Sequence, residues 1–155
     1  MQPSQLRAES RAEQDGRNGF EHALHALEHR DRSTAQVSRY LADRGVEDDE
    51  RHEILETLAR TSLVDDRRYA ETRASSLAER GAGDVRIRHD LALAGIDRDV
   101  IGDVLEALPP ELERAERIAA RRGVSPKTAR YLVGKGFSED VVRAVVARPE
   151  EEPLG

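Results

Sequence analysis

Cysteine and tryptophan are absent from this 155-residue chain, and three tyrosines and two phenylalanines are its only aromatics. Without cysteine there is neither a disulfide framework nor a thiolate metal site. With aromatics at 3%, any core must be built from Leu, Val, Ile and Ala. The N-terminus carries no apolar run and no stretch approaches the length that crosses a bilayer, so a soluble, cytoplasmic protein with no membrane partner is expected. Period-two alternation is missing over any useful length, which argues against strands. A Ser/His/Asp arrangement and a Gly-rich phosphate loop in a strand–helix setting are also missing. We therefore expect a non-enzymatic chain with no catalytic residues, cofactor or metal.

Charge is plentiful, at 36% of residues, and it is unevenly placed. Residues 1–113 hold 16 basic and 25 acidic side chains, net −9. Residues 114–148 hold 9 basic and 3 acidic, net +6, and Glu150, Glu151 and Glu152 follow. An overall pI near 5.4 is not that of a typical nucleic-acid binder, although the rear third alone has the required sign.

The dominant feature is internal repetition. Leu41, Ala42, Gly45, Asp49, Leu55, Glu56 and Leu58 recur fifty residues on as Leu91, Ala92, Gly95, Asp99, Leu105, Glu106 and Leu108. A fainter copy from about Ser125 to Val146 echoes Tyr40-Leu41 in Tyr131-Leu132 and Gly95-Ile96 in Gly136-Phe137. Units this small bury too little surface alone, so neighbours must bury one another's apolar faces. The expected fold is all-α: three tandem three-helix repeats in an elongated or curved array, over residues 18–61, 62–109 and 110–148. Residues 1–17 read as a disordered arm and 149–155 as a disordered acidic tail.

Local signals place the helices. Phe20 to Arg30 reads as a helix with Phe20, Ala23, Leu24 and Leu27 on its inner face. Ser33 and Gln36 form a capping-box pattern, and Gly45 is a stop. Asp48 to Arg60 has an acidic first turn. Asp65 is a cap for a helix ending near Gly81, Gly95 closes the helix over 84–94, and Asp97 caps the next. Pro110 suits a first helical position, Gly123 and Gly136 are stops, and Ser125 and Ser138 are caps.

Asp65-Asp66 and Asp48-Asp49-Glu50 read as helix N-termini, where carboxylates meet free N–H groups, before they read as cation sites. His22, His25 and His29 are expected to form an exposed polar stripe, not a metal site. Tyr40, Tyr69 and Tyr131 suit inter-helix packing with the hydroxyl at the edge better than base stacking. Two basic groups are the candidates for contact with an acidic or phosphate-bearing partner: Arg67, Arg68, Arg73, Arg86 and Arg88, and then Arg114, Arg117, Arg121, Arg122, Lys127, Arg130 and Lys135 with Arg143 and Arg148.

The run Leu63-Val64-Asp65-Asp66-Arg67-Arg68-Tyr69-Ala70, followed by Gly83, Arg86-Ile87, Leu91 and Gly95-Ile96, resembles the core signature of the RecX family. Ala23-Leu24, Leu27, Arg32-Ser33 and Leu41 are similar to that family's opening helices, and the resemblance spans about residues 20–147. Asp84 and Val85 depart from it, standing where a longer Gly-rich or basic stretch is common. The resemblance implies three tandem three-helix repeats and a regulator of recombination and the damage response. Such a regulator binds RecA or the RecA–DNA filament along its groove and inhibits ATPase, strand-exchange and co-protease activities. A monomer is expected, with weak direct DNA contact through the third repeat. Three repeats would reach roughly 60 Å, enough to touch neighbouring protomers of a filament. Two alternatives stay open: a helix-turn-helix-like transcription regulator and a generic helical-repeat scaffold.

Overall fold

The structure, a computed structural model, describes residues 17–147. The expected acidic tail, and the N-terminal arm apart from Arg17, lie outside those residues. Nine helices and no strand are found among them: α1 (Gly19–Leu27), α2 (Thr34–Asp43), α3 (Asp48–Arg60), α4 (Asp66–Glu79), α5 (Asp84–Leu93), α6 (Arg98–Ala107), α7 (Glu111–Arg122), α8 (Pro126–Gly134) and α9 (Glu139–Ala147).

Caps set most boundaries. The Ser33 hydroxyl accepts the Gln36 N–H while the Gln36 side chain accepts the Ser33 N–H, which closes a capping box on α2. Asn18 caps α1, Asp97 caps α6 and Ser125 caps α8, where Pro126 takes the first helical position. Asp65 accepts the Arg68 N–H at 3.0 Å ahead of α4. Pro110 is the cap residue of α7 and not its first helical residue.

The helices divide into two compact units. One contains α1–α3, the start of α4 through Tyr69, and the turn Ala94–Ile96. Within it α1, α2 and α3 each pack on the other two. Ala23, Val37, Leu41, Val46, Ile54, Leu58 and Val64 form the core, flanked by Leu27 and Leu55. Each large side chain so buried contributes about 1.5–3 kcal/mol.

The inner face of α1 differs from the expected one. Gly19, His22, Ala23 and Ala26 point inward, whereas Phe20 and Leu24 are exposed. The reason is closeness of approach. A Cβ on Gly19 would lie 2.6 Å from the Glu50 carboxylate and 2.9 Å from the Ile54 Cδ1, so only small residues fit there. His22 is consequently 1% exposed, and the expected exposed histidine stripe is reduced to His25 and His29.

The other unit contains the rest of α4, α5, and everything from Asp97 onward. There α5 packs on α6, and α7, α8 and α9 pack on one another. Ala115, Ala119, Leu132, Phe137, Val142 and Val145 make the core of the last three helices.

In each unit a Gly-apolar turn meets the N-terminus of a middle helix. Gly95 has φ +78°, and a Cβ there would overlap the Cβ of Ala35 in α2. Gly136 has φ +90°, and its Cβ would lie 2.5 Å from that of Arg86 in α5. Both positions need glycine twice over, for left-handed backbone and for contact. Gly95→Ala is expected to lower stability by about 2–4 kcal/mol. Adding Ala35→Gly should recover part of that loss in a urea-unfolding double-mutant cycle. Gly134→Ala, where the added methyl meets open space, should be neutral or slightly stabilising. Absence of coupling between positions 35 and 95 would refute the close approach.

Candidate functional site

The sequence-marked positions from Asp65 to Tyr69 and at Gly95 converge on the N-terminus of α2. Asp66 Oδ1 accepts both the backbone N–H of Thr34, at 2.7 Å, and its hydroxyl, at 3.0 Å. The Gln36 amide donates to the Tyr69 hydroxyl at 3.3 Å. The buried Ser33 hydroxyl donates to the carbonyl of Ala94 at 2.5 Å. Ala70, Ile87 and Leu91 are fully buried and Ile96 nearly so. These residues tie helices to one another, and none of them lines the basic cleft described below.

The second unit repeats the arrangement with different chemistry. The N–H of Asp84, first residue of α5, donates to Glu111 Oε2 at 2.7 Å, and the Ser138 hydroxyl donates to Glu111 Oε1 at 2.5 Å. Ser138 thus uses its hydroxyl to reach Glu111. The N–H groups of Gly83 and Val85 donate to the carbonyls of Lys135 and Gly136, both at 2.9 Å. Gly83 has no room for a side chain, because its Cβ would run into the Gly136 carbonyl 2.5 Å away.

Arg114 completes this junction. It is 8% exposed, pairs with Asp84, and donates to the carbonyls of Ala82 and Pro109 at 2.9 Å each. Sequence reasoning grouped it with surface arginines, but its guanidinium is already committed inside the protein. Burial and neighbouring Glu111 push the Asp84 carboxyl above its ordinary range, and Arg114 opposes them. Glu111 was missed because nothing local marks it. Its place as the first residue of α7 matches Asp66 as the first residue of α4, and aligning the groups by helix starts would have exposed it.

The remaining basic residues sort by how their charge is used. Arg68 pairs with Asp31 at 3.1 Å. Arg73 binds Asp90 through two hydrogen bonds, at 2.9 and 2.8 Å. That hydrogen-bonded guanidinium holds the Asp90 carboxyl below its ordinary range, against the opposing effect of burial. Arg86 donates to the Gly134 carbonyl at 3.3 Å. Arg143 pairs with Glu139 in α9 at 3.5 Å, fully on the surface. Arg67, Arg88, Lys127 and Arg130 are exposed, Lys135 is half-buried at the end of α8, and Arg148 lies outside the described residues.

Arg117, Arg121 and Arg122 gather with Arg80 around one open cleft of about 670 Å³ in the second unit. Its apolar lining comes from Ala78, Leu108, Pro109, Ile118 and Phe137. Arg122 lies over the Tyr131 ring at 3.7 Å, and in the first unit Arg44 covers Tyr40 at 3.5 Å. Tyr40 and Tyr131 are half-buried and covered by arginines. Among the described residues no group of His, Asp and Glu could hold a metal ion, and no helix is long and apolar enough to cross a membrane.

Tandem three-helix groups, tied at their middle helices and bearing a basic cleft, define the class of all-helical repeat proteins. Comparison with known proteins identifies which. The description "RecX, first three-helix domain" matches residues 20–58, and "RecX, second three-helix domain" matches residues 65–105. A regulatory protein RecX from Halorhodospira halophila is 35% identical over 140 residues, covering 84% of this chain and 87% of the relative. One from Mycobacterium leprae is 33% identical over 137 residues, covering 79% and 80%. The crystal structure of RecX from Lactobacillus salivarius aligns with a TM-score of 0.71 at 26% identity, covering 83% of this chain and 92% of that one. The chain belongs to the RecX family of regulatory proteins.

Two measurements test the junction chemistry. Glu111→Ala should cost about 2–3 kcal/mol by leaving the Asp84 N–H and Ser138 hydroxyl without acceptors, while Glu111→Gln keeps an acceptor and should lose much less. Equal losses would show that the acceptor geometry is unimportant. Asp90 has a folded-state pKa below its unfolded one, so its contribution is present above about pH 4 and disappears as pH falls through the folded value. Asp90→Asn should therefore cost about 0.5–1 kcal/mol at neutral pH, and wild type and variant should converge once the pH falls below the folded-state value. A gap that stays constant on acidification would contradict the ion pair.

Proposed function

We propose that this protein regulates homologous recombination and the damage response by binding the RecA nucleoprotein filament, without catalysis of its own. Binding slows ATP hydrolysis, strand exchange and co-protease activity of the filament. One observation carries this reading: the relationship to regulatory proteins named RecX extends over most of the chain at 35% identity. The described structure supports a binding role, because its polar networks are consumed in tying helices together and its exposed guanidinium groups face solvent. Contacts from successive groups would act together through high effective concentration. Exposed members of the two basic clusters, Arg67, Arg68, Arg86 and Arg88 in the first and Arg117, Arg121, Arg122, Lys127 and Arg130 in the second, are the residues we assign to the contact.

A helix-turn-helix reading is disfavoured by charge. The helices that would enter a groove are α3, with exposed Asp48, Asp49, Glu50, Glu53 and Glu56, and α6, with exposed Asp99, Asp103 and Glu106. These would repel a phosphate backbone. The deciding measurement is single-stranded-DNA-dependent ATP hydrolysis by RecA. Slowing is expected at low molar ratio of this protein, with an effect that weakens from low to physiological salt. Undiminished hydrolysis at equimolar protein would overturn the proposal, and inhibition indifferent to salt would remove the arginines from it.

A further inference from the structure

We infer that the cleft in the second unit is a docking site for an acidic peptide segment carrying an aliphatic side chain, presented by the protein's partner. The inference rests on the reading that this chain binds another protein, and it adds the chemistry of what is bound. Its rim holds four guanidinium groups, from Arg80 at the end of α4 and Arg117, Arg121 and Arg122 on α7, against a single acid, Glu79. All four are exposed; Arg80 also donates to the Ser76 carbonyl at 3.4 Å, and Arg122 lies over the Tyr131 ring. Arg117 and Arg121 stand one turn apart and project the same way. Arginine forks recognise carboxylates in pairs, and clusters of them commonly read acidic motifs.

The interior of the cleft points to an aliphatic anchor. Leu108, Ile118 and Ala78 line it beside Pro109 and the largely buried Phe137, a surface that gains by covering with another apolar side chain. A volume of about 670 Å³ suits one or two side chains and the backbone joining them. Single-stranded nucleic acid is the weaker candidate on the same observations. Base stacking needs an open aromatic face, and the only tyrosine of the cleft has Arg122 over its ring at 3.7 Å.

The test is fluorescence anisotropy of the full chain with a labelled peptide of glutamate and aspartate around a central leucine pair. Saturable binding is expected, with a loss of at least about tenfold in the double variant Arg117→Glu/Arg121→Glu. The charge-matched double variant Arg39→Glu/Arg98→Glu, exposed and not part of the cleft lining, should bind as wild type does. Replacing both leucines of the peptide by serine should weaken binding about five- to thirtyfold. Circular dichroism of both variants checks that folding is intact. The proposal is overturned if the peptide does not bind, if the two double variants weaken binding equally, or if the serine peptide binds as well. It is overturned too if an oligothymidylate binds more tightly and displaces the peptide. RecA ATPase measured on the wild type separates the two readings. Slowed hydrolysis without peptide binding rejects the cleft alone, and peptide binding without slowed hydrolysis rejects the RecA assignment alone.

Discussion

The buried N-termini of two helices govern this structure. A helix begins with N–H groups that have no partner within it, and an unsatisfied one costs about 1–3 kcal/mol when water is excluded. Ser33 is fully buried before α2 and Gly83 is buried before α5, so neither helix start can rely on solvent. Each is satisfied by a carboxylate from the first residue of a later helix, Asp66 for α2 and Glu111 for α5. Charge-assisted hydrogen bonds at the positive end of a helix dipole are the strong kind, and here they are also the long-range kind. The Gly95 and Gly136 turns follow from the same requirement. Backbone must come close enough to close these contacts, and only glycine allows both the approach and the positive φ.

That constraint also sorts the arginines. Arg114 is drawn inward against Asp84 and Arg73 is paired with Asp90, so part of the basic character counted along the chain is spent on cohesion. The remainder stands on the surface, and Arg117, Arg121 and Arg122 share one cleft with Arg80. Net charge by segment predicted which part of the chain is basic. It could not predict which cations remain available, because availability depends on acids as far as 37 residues away in sequence, as with Asp31 and Arg68.

Local chemistry was legible wherever it was local. The capping box of Ser33 and Gln36, the Ser125-Pro126 start and the Asp48–Arg60 boundaries all follow from adjacent residues. The inner face of α1 was not legible. Size suggested Phe20 and Leu24, whereas Gly19, Ala23 and Ala26 face inward because α3 lies too close for anything larger. His22 is buried for the same reason, carried inside by its position one turn from Gly19 and Ala26.

Taken alone, the order of amino acids determined an all-helical, internally repeated chain, the places where most helices begin and end, and kinship with a family of regulators. Those properties depend on neighbours within one turn, or on pattern matching along the whole length. Only the tertiary structure decided that Asp66 and Glu111 are acceptors for distant helix starts, that Arg114 is interior, and that four exposed arginines stand around the cleft Arg114 also lines. Each of these depends on which residues meet after folding, and pairings tens of positions apart leave no periodic trace in a single sequence.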